Sequence, residues 1–284
     1  MRTAARLSGY VAVLALLFGL AWWTGTASGP ATPATPAAAG TGHPHTAVES
    51  AGVTATTAGY TFVPAATTFP PGVPGDLAFT ITGSDGRPVT AFDVESERRM
   101  HLVVVRRDGA GFQHLHPEAG PDGVWRTPLA LPAPGVYRAF ADFVPTGGPG
   151  LVLGVDLFVP GDFAPVDFPP SRVSDAGGYV VRLDGDLVPG GPSELSATIS
   201  RDGAPVTDLE PYLGAFGHLV VLRRSDLAYL HVHPDAGTAR PGPALPFTVD
   251  VPTPGGYRLF VGFRHGGGTH TAEFTLTTDG EGAR

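Results

Sequence analysis

Cysteine is absent from the 284-residue chain, which excludes disulfides, thiolate metal sites, iron–sulfur clusters and a cysteine nucleophile. A lipid-modified amino terminus that needs a cysteine is excluded with them. Lysine is also absent: all 18 basic residues are arginines, scattered along a chain of net charge −8. That distribution leaves no electrostatic footprint for nucleic acid or for an anionic membrane surface. Methionine occurs only at Met1 and Met100, so a soft thioether site for Cu(I) cannot be assembled. Charged residues make up only 15% of the chain against 42% hydrophobic, enough apolar material for two domains of about 100 to 120 residues each.

What is abundant points to strands. The 40 Gly and 30 Pro punctuate the chain too often for long helices and favour short strands joined by turns. The exception lies at the start, where Arg2 and Arg6 precede an apolar run from Tyr10 to Trp23 and then small residues. That is the layout of an export signal. Counted from Leu7 to Gly25, the run is also long enough for an uncleaved anchor. Residues 1–24 are therefore read as a signal peptide or signal anchor, and residues 25–59, rich in Ala, Thr and Pro, as a flexible, disordered spacer. His43 and His45 in that spacer would hold a metal only weakly, because ordering the segment costs entropy.

The rest of the chain repeats itself. At an offset of 117 residues, His101-Leu-Val-Val-Val-Arg-Arg falls on His218-Leu-Val-Val-Leu-Arg-Arg, and His114-Leu-His-Pro-Glu118 falls on His231-Val-His-Pro-Asp235. After a further shift of three, Pro134-Gly-Val-Tyr-Arg-Ala-Phe140 matches Pro254-Gly-Gly-Tyr-Arg-Leu-Phe260. Two homologous modules follow, at 60–160 and 179–278, with a Pro-rich linker at 161–178 and a tail at 279–284. Short alternating or apolar runs between Gly, Pro and Asp indicate antiparallel sandwiches. The expected fold is all-β: two tandem immunoglobulin-like β-sandwiches after an N-terminal hydrophobic helix and a spacer. Tyr137 and Tyr257 are expected to anchor tyrosine corners, and Phe163 and Phe168 to pack between the modules.

The histidines gain meaning from register. If Asp108-Gly109 forms a two-residue hairpin turn, Arg107 pairs with Ala110 and partners sum to 217, placing His101 opposite His116 and Val103 opposite His114. Opposed Cβ atoms lie about 5 Å apart and next-but-one neighbours about 7 Å apart on the same face, so three imidazoles converge. A turn at Ser225-Asp226 does the same for His218, His231 and His233. Three imidazoles about 2 Å from one ion suit Cu(II), Zn(II) or Ni(II). A loop of three or five residues would instead send His101 to the opposite face. A structural role, with each ring bonded to backbone at the sandwich end, is the other reading. His265 and His270 flank Gly266-Gly267-Gly268 in the second module only, as an added site or as solvated loop residues. Asp142, which aligns with Gly262, is a candidate oxygen ligand or orienting group.

The pattern of His-Leu and an apolar run, then Phe112 or Tyr229, then His-x-His-Pro, then Pro-Gly-x-Tyr-x-x-Phe resembles exported bacterial modules. These are the immunoglobulin-like, heavy-metal-associated modules of the YtkA, FixH and CopC type. The resemblance covers both modules and implies copper or other heavy-metal handling outside the cytoplasm. The N-terminal His and Met-rich loop of CopC-like copper proteins are missing, so their ligand set is not carried over. The expected protein is non-catalytic and secreted or membrane-anchored. It would sequester or deliver Cu(II) or Zn(II), its partner being the metal ion, and touch the membrane only through an uncleaved N-terminal segment. The alternative is a structural or protein-interaction pair whose histidines are structural. A zinc hydrolase would need a general base, and the only recurrent carboxylates, Glu118 and Asp235, follow a proline that turns them to solvent.

Overall fold

A computed structural model of the protein describes residues 51–230, 232–234 and 240–278. The export segment 1–24, the spacer up to residue 50, His231, Asp235 and the tail 279–284 lie outside the described residues, and for His233 only the backbone is described. Among the described residues there is no helix, and every paired strand of the four sheets runs antiparallel.

The first module contains β1 (Thr56–Thr57), β2 (Tyr60–Pro64), β3 (Gly75–Thr82), β4 (His101–Arg106), β5 (Gln113–Leu115), β6 (Glu118–Ala119), β7 (Trp125–Leu129), β8 (Gly135–Phe143) and β9 (Leu151–Val159). One sheet runs β1-β2-β3-β7-β6 and the other β5-β4-β8-β9. The second module contains β10 (Val173–Asp175), β11 (Tyr179–Asp184), β12 (Gly191–Arg201), β13 (Ala204–Pro205), β14 (Gly217–Arg223), β15 (Tyr229–Leu230), β16 (Val232–Pro234), β17 (Ala244–Val251), β18 (Gly256–His265) and β19 (Gly268–Thr277). Its sheets run β10-β11-β12-β17-β16, with β13 on β12, and β15-β14-β18-β19. Each module is thus an immunoglobulin-like sandwich with its own apolar core.

Alternation explains the two-faced strands. In β3 the residues Leu77, Phe79 and Ile81 point inward and are buried while their neighbours are partly exposed. Strand β4 breaks that rule, since all six of its residues are buried. Leu102 and Val104 enter the first module's core, while Val103 and Val105 join a third cluster with Val220, Leu222, Phe140 and Phe260. The outer faces of the β4 and β14 sheets therefore pack against each other. An uninterrupted apolar run is what a strand covered on both faces requires.

The corners form as expected. The Tyr137 hydroxyl donates to the Ala133 carbonyl at 2.9 Å and the Tyr257 hydroxyl to the Thr253 carbonyl at 2.6 Å. Two boundaries differ from expectation. Order starts before Tyr60: Gly52 N–H donates to the Val152 carbonyl, Gly154 N–H to the Thr54 carbonyl and Tyr229 N–H to the Ala51 carbonyl, each at 2.9 Å. Backbone hydrogen bonds on two sheet edges, one per module, thus hold this Gly- and Thr-containing strap where composition alone suggests a spacer. Strand β10 likewise lies inside the stretch read as linker and pairs with β11. Phe163 lies over the Arg106 guanidinium at 5.3 Å and is 49% exposed, rather than buried between modules. Phe168 lies under the Arg258 guanidinium of the second module at 3.8 Å.

Candidate metal centre

The hairpin that carries the first histidines is not built as the two-residue turn predicts. Arg106 N–H donates to the Ala110 carbonyl at 2.8 Å and Gly109 N–H to the Arg106 carbonyl at 2.7 Å, which makes a three-residue loop of residues 107–109. The Asp108 carboxylate holds that loop by taking the Arg106 guanidinium at 2.7 and 2.9 Å and the Ala110 N–H at 3.2 Å. Such a loop alone would move His101 to the wrong face. One extra residue on the returning strand corrects it, near Gly111 with its φ of 63°. Beyond this bulge Val104 pairs with Gln113, Val103 with His114 and Leu102 with Leu115, every pair summing to 217. Loop and bulge offset one another, and the imidazoles converge.

The resulting group is compact. One ligand nitrogen from each of His101, His114 and His116 lies within 4.8 Å of the others, and no other such group exists among the described residues. The Nδ1 of His101 is 3.2 Å from the Nε2 of His114, and its Nε2 is 3.1 Å from the Glu95 carbonyl oxygen. A carbonyl only accepts, so the Nε2 of His101 carries the proton and, in the neutral ring, Nδ1 turns its lone pair into the cluster. A histidine that donates its far nitrogen to a backbone carbonyl is oriented as metal-bound imidazoles are. The Nε2 of His116 is buried with no hydrogen-bond partner, an orphaned lone pair or N–H of the kind that calls for an occupant. Tetrahedral zinc would draw ligand nitrogens to about 3.4 Å from one another at bond lengths of 2.0–2.1 Å, so the residues fit the ion with modest closure.

Electrostatics keep His114 and His116 neutral. Burial first, then the neighbouring imidazoles, push the His114 pKa well below its usual range, and burial with His101 and Arg98 pushes His116 down to about 4. Asp142 sits directly opposite His101 on β8, on the same face. The Tyr229 hydroxyl is driven well above its usual pKa by burial and, next, by the Asp142 charge.

The second module departs from the expected copy. Its β14–β15 pairs Val221–Leu230 and Leu222–Tyr229 sum to 451, the predicted register. The turn is a four-residue loop of residues 224–227, closed by Arg223 N–H on the Ala228 carbonyl at 3.0 Å. Yet His233 pairs with Thr248 on β17, in the other sheet, and not with His218. The chain changes sheets after Leu230, as it does after Leu115, where β6 joins β7. His218 instead approaches the first module's cluster. Its ring is nearly parallel to His101 at 4° and 5.8 Å, and 4.9 Å from His114. Burial followed by His101 and His116 lowers its pKa to about 3.

His265 and His270 belong elsewhere. The Nδ1 of His265 is 2.8 Å from the Tyr179 hydroxyl and its Nε2 3.1 Å from Asp208, so both nitrogens are engaged by protein. His270 lies against the Tyr179 ring at 4.4 Å with its Nε2 on the His265 carbonyl at 3.3 Å. The residues that register arithmetic missed are Glu95, whose carbonyl orients His101, and His218 as a neighbour of the first triad. Glu95 lies in a turn closed by Glu95 and Arg98, whose Ser96 and Glu97 have positive φ, with no sequence signal that marks it as a histidine partner.

Comparison with known proteins agrees with the repeat. A family profile described as Domain of unknown function (DUF8832) matches residues 55–152 and again residues 173–280. No curated protein sequence matches the chain. Among solved structures, similarity extends to elastase-activated alpha-2-macroglobulin of Escherichia coli (18% identity, 78% of this chain, 20% of that one, TM-score 0.26). It extends also to the E. coli adhesin FdeC (13% identity, 78% and 64%, TM-score 0.26) and to the Ig1-2 module of the Drosophila receptor tyrosine phosphatase DLAR (10% identity, 78% and 99%, TM-score 0.23). The chain spans about a fifth of the length of the first and just under two thirds of the second.

Proposed function

Since the chain belongs in both halves to the family of the domain of unknown function DUF8832, we propose that this tandem pair is a non-catalytic metal-binding protein working outside the cytoplasm. It takes up Zn(II) or Cu(II) at His101, His114 and His116. The observation that carries the reading is the convergence of three partly or fully buried imidazoles, one with a buried and unpartnered nitrogen. Imidazole-only donors suit these two ions. The N-terminal basic and apolar segment supports export, and sequestration or delivery needs no group beyond the ligands. A structural role draws support from His101, both of whose nitrogens already have protein partners.

Calorimetric titration of the metal-free protein decides between them. Zn(II) or Cu(II) is expected to bind with defined stoichiometry at neutral pH, and His114→Ala combined with His116→Ala to remove one equivalent. A metal-free protein that takes up neither ion would leave only the structural reading.

A further inference from the structure

Resting on that reading, we infer that an ion held by the first module's triad takes its fourth ligand, His218, from the second module, so that metal occupancy fastens the two modules together. Three imidazoles leave one position open on a tetrahedral ion. An imidazole in ring contact with the triad, outside the group of nitrogens within 4.8 Å of one another, comes from the other sandwich: His218 stacks on His101 at 5.8 Å and meets His114 at 4.9 Å.

The placement follows from the repeat. An offset of 117 carries His101 onto His218 and Phe112 onto Tyr229, and the later offset of 120 carries Phe140 onto Phe260. Phe112 stacks on Phe260 at 3.8 Å, and its repeat mate Tyr229 meets Phe140 at 5.6 Å. The modules are therefore paired as a two-fold dimer pairs its subunits, each patch meeting the other's equivalent. Equivalent residues approach each other only near such an axis, which is where His101 and His218 stack. The turns above them are equivalents too: a Cβ built on Gly214 would lie 3.9 Å from the Glu97 side chain and 4.0 Å from the Ser96 backbone. Strand β14 presents His218 opposite Gly262, over which the Tyr212 ring packs, whereas His101 has Asp142 at the same station. The cluster is consequently asymmetric, with three ligands from one module and one from the other.

Cobalt(II) and zinc(II) titrations of the full-length chain test this, comparing wild type with His116→Ala, His218→Ala and His218→Gln. Cobalt in the wild type should give the intense visible bands of a tetrahedral site. The His218 variants should keep one equivalent, bind at least tenfold more weakly, lose band intensity, and lose most of the metal-induced rise in unfolding temperature. Unchanged affinity and spectrum in both His218 variants, with loss in His116→Ala, would overturn the inter-module ligand and leave the triad standing. A wild type that binds neither metal overturns the triad and this inference together. Should the variants fail to fold, X-ray absorption on the zinc-loaded wild type counts the imidazoles directly: four support the bridge and three refute it.

Discussion

At the scale of single residues, the histidines tie stability to acidity. His116 and His218 are held neutral in the folded chain, with pKa values of about 4 and about 3, against about 6.5 when unfolded. Above that unfolded value both states are neutral and contribute nothing to the pH dependence. As pH falls through 6.5 the unfolded chain takes up protons that the folded chain refuses, so stability declines until the folded values are reached. The metal-free protein should therefore melt at a lower temperature at pH 5 than at pH 7, and His116→Ala should flatten that difference in a thermal scan. Metal affinity should hold up over the same interval, because His114 and His116 bind few competing protons. A glycine supplies a second test. A Cβ on Gly154 would lie 1.8 Å from the Gly52 carbonyl oxygen, so Gly154→Ala should dislodge the strap of residues 51–54. The expected cost is roughly 1–3 kcal/mol, with faster proteolytic removal of the N-terminal segment as its signature.

At the scale of elements, the hairpins were legible and their turns were not. The expected pairing of Val103 with His114 forms, although not through the two-residue turn that predicts it, and side chains alternate with a period of two, so that any uncompensated slip would have lost it. The Asp108-Gly109 pair is a strong two-residue turn signal, yet Asp108 instead engages Arg106, Ala110 and Val166 N–H. The side-chain bonds of Asp108 outweigh the local preference, and the bulge at Gly111 restores the register. The triad thus came from correct parity reached through an incorrect turn. The sheet change after Leu115 and after Leu230 could not be read from spacing, since strand runs on both sides look alike; it explains why His233 pairs with Thr248 in the ladder.

At the scale of the molecule, the two sandwiches share one apolar interface of Val103, Val105, Phe140, Val220, Leu222, Leu227, Tyr229 and Phe260. Phe260 is 1% exposed and lies against both Phe112 and the Arg258 guanidinium. Phe260→Ala should cost about 3–5 kcal/mol, as the loss of a buried ring does, and should uncouple the melting of the modules in calorimetry. It should also weaken metal binding if the centre spans the interface, although Phe260 is not a ligand.

The sequence by itself determined the all-β class, the duplication, the tyrosine corners and, given a register sum of 217, the grouping of His101, His114 and His116. These depend on local periodicity, turn residues and self-similarity, which are written in consecutive positions. Only the tertiary structure decided that the outer faces of the β4 and β14 sheets cover one another, and that His218 therefore meets the first module's histidines rather than His233 in the ladder. The apolar runs at Leu102–Val105 and Leu219–Leu222 announce strands covered on both faces. What covers them is a long-range choice of surface complementarity, and no spacing along the chain encodes it.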